Sequence, residues 1–313
     1  MMKILITGVG GASGAGLAKV LGTNHYLVGV DANPHAPGKV LVDEFHVVPC
    51  ACDKGYLRKL KALAIGCDAL FCTVDEELPI VAKNARKLGC KVLTPDFRAV
   101  ENCLDKAKCV QILEKVGVNV AKTISMDKGK YEEIKKALGT PFVLKPRRGR
   151  GSRNIHIIKN KGDYTHCKKS GIDFIAQEYL RGEEYTVDVL LDNKAKAIAV
   201  VPRKRVLTDS GVSIVGETVK NETITKLAKK AAETLKLKYV VNVQMKNGKK
   251  RTPKITEINP RPAGTLPLTV RAGINMPELA LKIARGKPIP QKELKYESGI
   301  VMYRHWEEAF RRK

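Results

Sequence analysis

What the sequence lacks narrows its class first. No stretch comes near the roughly 18 uninterrupted apolar residues that a membrane helix requires. The opening run Met2-Lys3-Ile4-Leu5-Ile6-Thr7-Gly8 is too short in apolar length for a signal peptide. A soluble, cytoplasmic protein is expected. Aromatic residues are only 5% of the chain, and neither a helix-turn-helix nor an aromatic-bearing RNA-binding motif is present, so specific nucleic-acid binding is not expected. Cysteine is plentiful, but paired knuckles are missing. Cys50 and Cys52 form a lone C-x-C, Cys67 and Cys72 bracket a strand-like run, and no His stands at zinc-like spacing from a Cys pair. These thiols are expected to be reduced and to pack as small apolar groups. Acidic residues are also few: 32 Asp and Glu against 57 Lys and Arg, a formal charge of +25. That excess suits polyanionic ligands such as nucleotides, phosphorylated intermediates or an acidic substrate.

What is present is an ordinary globular composition with 43% hydrophobic residues, long enough for two or three compact units. The first hundred residues alternate strand and helix as a parallel α/β unit does. Strands are expected at Lys3–Thr7, Tyr26–Val30, Ala69–Thr73 and Lys91–Leu93, with helices at Ala15–Leu21, Tyr56–Ala64 and near Pro79–Leu88. Thr94-Pro95-Asp96 breaks the chain, because the residue before proline avoids α conformation. Helices follow at Lys106–Val116, capped by Asp105 and stopped by Gly117, and at Tyr131–Leu138 before Gly139. Closely spaced strands then come at Phe142–Lys145, Ile155–Ile158, Phe174–Glu178, Tyr185–Leu191 and Ala195–Val201. Their spacing predicts an antiparallel sheet with one solvated face. After a polar loop through Asp209–Ser213, a helix at Glu222–Leu235 precedes strands Tyr239–Lys246 and Pro253–Ile258, and helices near Pro267–Ala272 and Pro277–Arg285. The resulting units are 1–97, 98–180 and 181–313.

Gly8-Val9-Gly10-Gly11-Ala12-Ser13-Gly14 follows a strand and opens a helix, and Asp31 ends the next strand. A dinucleotide fingerprint has this outline, but Ser13 stands where its third glycine belongs. A tight turn allowing close backbone approach is the better reading. The chemistry lies downstream, in Glu257-Ile258-Asn259-Pro260-Arg261. Strand alternation puts Glu257 and Asn259 on one face, so a carboxylate and an amide oxygen converge as hard ligands for Mg²⁺. Gln244, on the strand before the hairpin Lys246-Asn247-Gly248-Lys249, can add a third oxygen. Arg261 then projects a permanently charged fork toward a transferring phosphoryl group. Lys145-Pro146 ends another strand, and Gly149, Gly151 and Ser152 in the loop after it let backbone N–H groups close over phosphates. Gln177-Glu178-Tyr179-Leu180 has backbone suited to reading adenine, and Glu184 can accept ribose hydroxyls.

These segments together resemble the ATP-grasp superfamily, specifically its carbamoyl phosphate synthase large-chain-like group. The resemblance covers nearly the whole chain: Val143-Leu144-Lys145-Pro146, Gln177-Glu178-Tyr179-Leu180, Asn242-Val243-Gln244 and Glu257-Ile258-Asn259-Pro260-Arg261 match in order and spacing. It implies a Rossmann-like pre-ATP-grasp domain followed by a two-lobed ATP-grasp fold, an α/β and α+β architecture. It implies ATP contacts from Lys106 and Lys145, adenine held at Glu178 to Leu180, and ribose at Glu184. Mg²⁺, replaceable by Mn²⁺, would sit on Gln244, Glu257 and Asn259, with Arg261 and Lys145 catalytic. The expected reaction joins a small carboxylate to an amine or ammonia through an acyl phosphate, releasing ADP and phosphate. Phosphorylation of bicarbonate or carbamate is the alternative, and a basic nucleic-acid-binding module with a vestigial ATP site is the alternative of another class. A homodimer is left open. Two departures stand out: the phosphate loop Arg147-Arg148-Gly149-Arg150-Gly151-Ser152-Arg153 is unusually rich in arginine, and Pro202-Arg203-Lys204-Arg205 through Gly216 has no secure counterpart. Arg203 to Arg205 are candidates for an acidic substrate, and Asp75-Glu76-Glu77 is a candidate amine site.

Overall fold

Runs such as Lys3-Ile4-Leu5-Ile6-Thr7 and Tyr26-Leu27-Val28-Gly29-Val30 are apolar on both faces, which suits strands covered by helices on either side. The computed structural model describes residues 1–126, 129–305 and 307–310. Its first unit runs β1 (Lys3–Thr7), α1 (Ala12–Leu21), β2 (Tyr26–Asp31), β3 (Glu44–Val47), α2 (Tyr56–Ala64), β4 (Ala69–Phe71), α3 (Leu78–Asn84) and β5 (Lys91–Val92). The five strands pair in parallel in the order β3-β2-β1-β4-β5. Edge strand β3 was not expected, since Glu44-Phe45-His46-Val47 is short and half polar.

Helix α4 (Phe97–Leu104) follows the proline break, and α5 (Lys106–Glu114) begins one residue later. Asp105 caps α5 as expected, accepting from the Lys108 N–H at 3.1 Å. A four-stranded lobe comes next: β6 (Thr123–Ser125), α6 (Tyr131–Leu138), β7 (Phe142–Pro146), β8 (His156–Ile158), α7 (Lys161–Lys168) and β9 (Phe174–Glu178). Its strands are antiparallel in the order β6-β9-β7-β8, and Tyr131, Ile134, Phe142, Leu144, Tyr164 and Phe174 close its core.

The last unit contains β10 (Glu184–Leu191), β11 (Ala197–Asp209), β12 (Val212–Thr218), α8 (Glu222–Thr234), β13 (Tyr239–Asn247), β14 (Pro253–Asn259), α9 (Leu266–Arg271), α10 (Met276–Ala284) and β15 (Val301–Tyr303). Its six strands lie in the order β14-β13-β10-β11-β12-β15. Two expectations are corrected here. The strand placed at Ala195–Val201 runs to Asp209 and pairs with β12, and the polar loop shrinks to a turn at Ser210 and Gly211. Both residues have positive φ, +48° and +78°, which suits the right-handed twist of a two-residue hairpin. The solvated face is the second correction. One side of this sheet packs Val187, Val189, Val241 and Val243 on α5 and α8. On the other side Leu190, Ala199, Val201 and Val240 share one core with Ile4, Leu17 and Leu21 of the first unit and with Met276 and Leu279 of α10. The polar positions that suggested solvent instead floor a cleft. Among the described residues no helix is long and apolar enough to cross a membrane.

Candidate active site

Alternation along three neighbouring strands gathers the polar side chains of that floor. Glu184 and Thr186 of β10, Asn242, Gln244 and Lys246 of β13, and Glu257 and Asn259 of β14 all line a cleft of about 950 Å³. Gln244 is the direct cross-strand partner of both Thr186 and Glu257, and Asn242 is that of Asn259. A bulge between Gln244 and Met245 leaves Thr256 without a cross-strand partner. Its carbonyl accepts from Lys145 Nζ at 2.9 Å. The opposite wall is Val143, Lys145 and Pro146 of β7, residues 149–153 and Gln177; the first unit adds Gly8, Gly10 to Ser13, Asp31, Glu76 and Glu77.

Lys106 and Lys145 meet Glu257 between these walls. Lys106 Nζ lies 3.6 Å from the Glu257 carboxylate and donates to the Gly149 carbonyl at 2.7 Å. Burial lowers the Lys145 ammonium to about 8; Glu257 opposes that shift and Lys106 adds to it. Two cations facing one carboxylate leave room for phosphate charge. Asn259 Oδ1 faces Arg261 Nη2 at 3.4 Å, and the Asn242 amide donates to the Arg261 carbonyl at 3.2 Å. No group of three or more His, Cys, Asp or Glu assembles a metal site among the described residues. The donors that fit a hard cation are therefore the mixed set Gln244, Glu257 and Asn259, whose remaining shell would be phosphate oxygens.

Gly149, Gly151 and Ser152 line the cleft as expected, and the glycines have φ of +140° and +66°, which a side chain would resist. Three of the loop's arginines are paired with acids, while Arg150 and Arg153 also line the cleft. Arg147 makes a two-pronged pair with Asp105 at 2.8 and 2.7 Å, Arg148 reaches Glu101 at 3.0 Å, and Arg150 reaches Glu76 at 2.7 Å. Glu184 pairs with Arg205, and Lys246 Nζ stands 3.9 Å from it. Gln177 lines the cleft, whereas Glu178, Tyr179 and Leu180 lie just past its lining. The Glu178 carboxylate accepts from the Lys122 N–H and from Lys254 Nζ, each at 2.6 Å.

Of the candidate substrate residues, Arg205 lines the cleft, but Arg203 is buried beneath it, paired with Asp188 at 2.7 Å and donating to Thr265. Asp75 pairs with Arg261 instead of facing open space. Glu77 is buried, with Cys72 Sγ 3.8 Å away, and burial raises its carboxyl to about 7. Sequence reasoning missed Thr186, Asn242 and Lys246, although each stands two residues from a chosen one on the same strand face. Thr256 carried no such signal, because a bulge cannot be read from alternation.

With the described residues so arranged, the chain superposes on the MgADP- and bicarbonate-bound biotin carboxylase domain of Hydrogenobacter thermophilus 2-oxoglutarate carboxylase with a TM-score of 0.75. The two are 19% identical, and the match covers 95% of this chain and 73% of that one. A family model described as "ATP-grasp in the biosynthetic pathway with Ter operon" matches residues 171–308. The match to this ATP-grasp family thus covers less than half of the chain. Over 228 residues it is 26% identical to the carbamoyl phosphate synthase large chain of Caldanaerobacter subterraneus subsp. tengcongensis, covering 67% of this chain but 21% of that enzyme. The chain thus spans about a fifth of the length of that relative. It is 30% identical over 201 residues to the D-alanine–D-alanine ligase of Clostridium botulinum, which covers 56% of this chain and 65% of the ligase.

Proposed function

We propose that this chain is a cytoplasmic ATP-dependent ligase that phosphorylates a small substrate carboxylate and passes the acyl group to an amine or ammonia. What carries this reading is that Gln244, Glu257, Asn259, Lys106, Lys145 and Arg261 all line a single cleft. Lys145 and Lys106 hold phosphate oxygens as point charges, while the backbone of Gly149 to Ser152 closes over them. Glu184 accepts the ribose hydroxyls, and the backbone from Glu178 through Tyr179 to Leu180 borders adenine. Mg²⁺, or Mn²⁺, on Gln244, Glu257 and Asn259 would neutralise phosphate charge. Arg261 stabilises the charge that develops as the γ-phosphoryl group passes to the carboxylate. Little else is needed, since such transfers are driven by positioning and electrostatics. The basic cluster gives less support to nucleic-acid binding, because Arg147, Arg148 and Arg150 are engaged by acids.

The test is a panel of amino acids and small carboxylates with MgATP, with the nucleotides separated by chromatography. ADP and phosphate are expected, and stoichiometric AMP would refute the acyl-phosphate route. Glu257→Ala should abolish metal-dependent turnover without changing the circular dichroism spectrum; unchanged turnover would remove Glu257 from the metal set. Bicarbonate as the phosphoryl acceptor is the second reading, favoured by the similarity to carbamoyl phosphate synthase. ADP release stimulated by bicarbonate alone would select it.

A further inference from the structure

Arg261 lies two residues past β14, so its strand does not fix where its guanidinium points. Every guanidinium nitrogen nevertheless has an acceptor. The Asp75 carboxylate takes Nε, Ser13 Oγ takes Nη1 at 3.2 Å, and Asn259 Oδ1 takes Nη2 at 3.4 Å; the Pro262 carbonyl also faces Nη1 at 3.4 Å. Two of these acceptors come from the first unit. Asp75 follows β4, and Ser13 is in the first turn of α1.

Arg261 and Ser13 line the cleft, but Asp75, 6% exposed, does not. The carboxylate therefore grips the arginine from behind. A carboxylate so close to a site for triphosphate would repel it if left unpaired, and its pairing with Arg261 removes that penalty. A long free side chain would also spread over many rotamers, whereas a charge held in advance needs no reorganisation when phosphoryl charge develops. The units are pressed together at this point: a Cβ on Gly264 would lie 2.8 Å from Ala12 Cβ.

We propose that Asp75 is the positioning residue for Arg261, so that the parallel α/β unit completes the phosphoryl-transfer site formed by the two ATP-grasp lobes. The inference rests on the role given to Arg261 above. Calorimetry on the full-length chain with MgADP and with the magnesium complex of the non-hydrolysable analogue AMP-PNP tests it. Asp75→Asn should lower affinity for AMP-PNP by about tenfold and leave MgADP binding unchanged, while Asp75→Glu restores part of the loss. In an Arg261→Met background, Asp75→Asn should change nothing further. Equal losses for both nucleotides, or none, would overturn the proposal. If Arg261→Met itself leaves the preference for AMP-PNP unaltered, the role of Arg261 fails instead. Should Asp75→Asn not fold, Ser13→Ala carries the test: a smaller loss confined to AMP-PNP supports the arrangement, and no loss overturns it.

Discussion

Lys145, next to last in β7, is buried between the ATP-grasp lobes, and its ammonium is pulled to about 8 for lack of water. Phosphate needs the protonated form. Nucleotide binding at pH 8.5 should therefore draw in a proton, and the binding heat should vary with the ionisation enthalpy of the buffer. Affinity for MgATP should fall as pH rises through 8. Lys145→Ala should weaken binding about 10- to 100-fold and abolish the proton uptake. Glu77 is the opposite case. Its carboxyl is raised from 4.5 to about 7, chiefly by burial. The folded state thus holds a proton that the unfolded chain releases, so this contribution is full below pH 4.5 and disappears as pH rises through 7. Glu77→Gln should raise the melting temperature at pH 8 and leave it nearly unchanged at pH 4.5. An equal shift at both values would show that the charge is not responsible.

Among the elements, the arginine-rich loop is a latched flap. Arg148 and Arg150 fasten it to Glu101 on α4 and Glu76 beside β4. Such partly exposed pairs are individually weak. Glu76→Gln with Glu101→Gln should speed tryptic cleavage within residues 148–153, and saturating MgATP should restore protection. If the double variant is cut no faster than the parent, the pairs do not hold the flap. The sequence made some elements plain and concealed others for physical reasons. Lys3–Thr7, Tyr131–Leu138 and Phe174–Glu178 were legible to the residue, because apolar patterning and turn residues agree there. Helix α7 went unread although Asn160 and Asp163 cap its start reciprocally, since its own residues are largely polar. The end of β11 was concealed because a proline and the basic run Arg203-Lys204-Arg205 interrupt the apolar pattern, yet residues 203–209 still pair with β12. That Glu257 and Asn259 share one face was legible from period-two spacing, and the hairpin placed Gln244 on the strand beside them. The partner of Arg261 was not: no local pattern links positions 186 residues apart.

At the scale of the whole molecule, the buried pair of Asp188 and Arg203 ties α9 to the six-stranded sheet within the last unit. Thr269 and Thr265 each hydrogen-bond one partner, and both charged side chains are almost fully enclosed. Arg203→Met should destabilise the chain by about 3–5 kcal/mol in urea unfolding, because Asp188 would be left charged without a counterion. A smaller loss on replacing both residues with apolar ones of matched volume would separate that penalty from packing.

The apolar core running from Ile4, Leu17 and Leu21 to Leu266, Met276 and Leu279 also bears on inheritance. An exchange between relatives that carried only the first hundred residues would set a foreign α1 against a resident α9 and α10, with Gly16 and Gly264 allowing almost no mismatch. The transferable cassette is discontinuous in the gene. A chimera meant to trade acceptor preference should carry residues 261–284 along with the amino-terminal segment, and recombination inside either stretch alone should yield insoluble offspring.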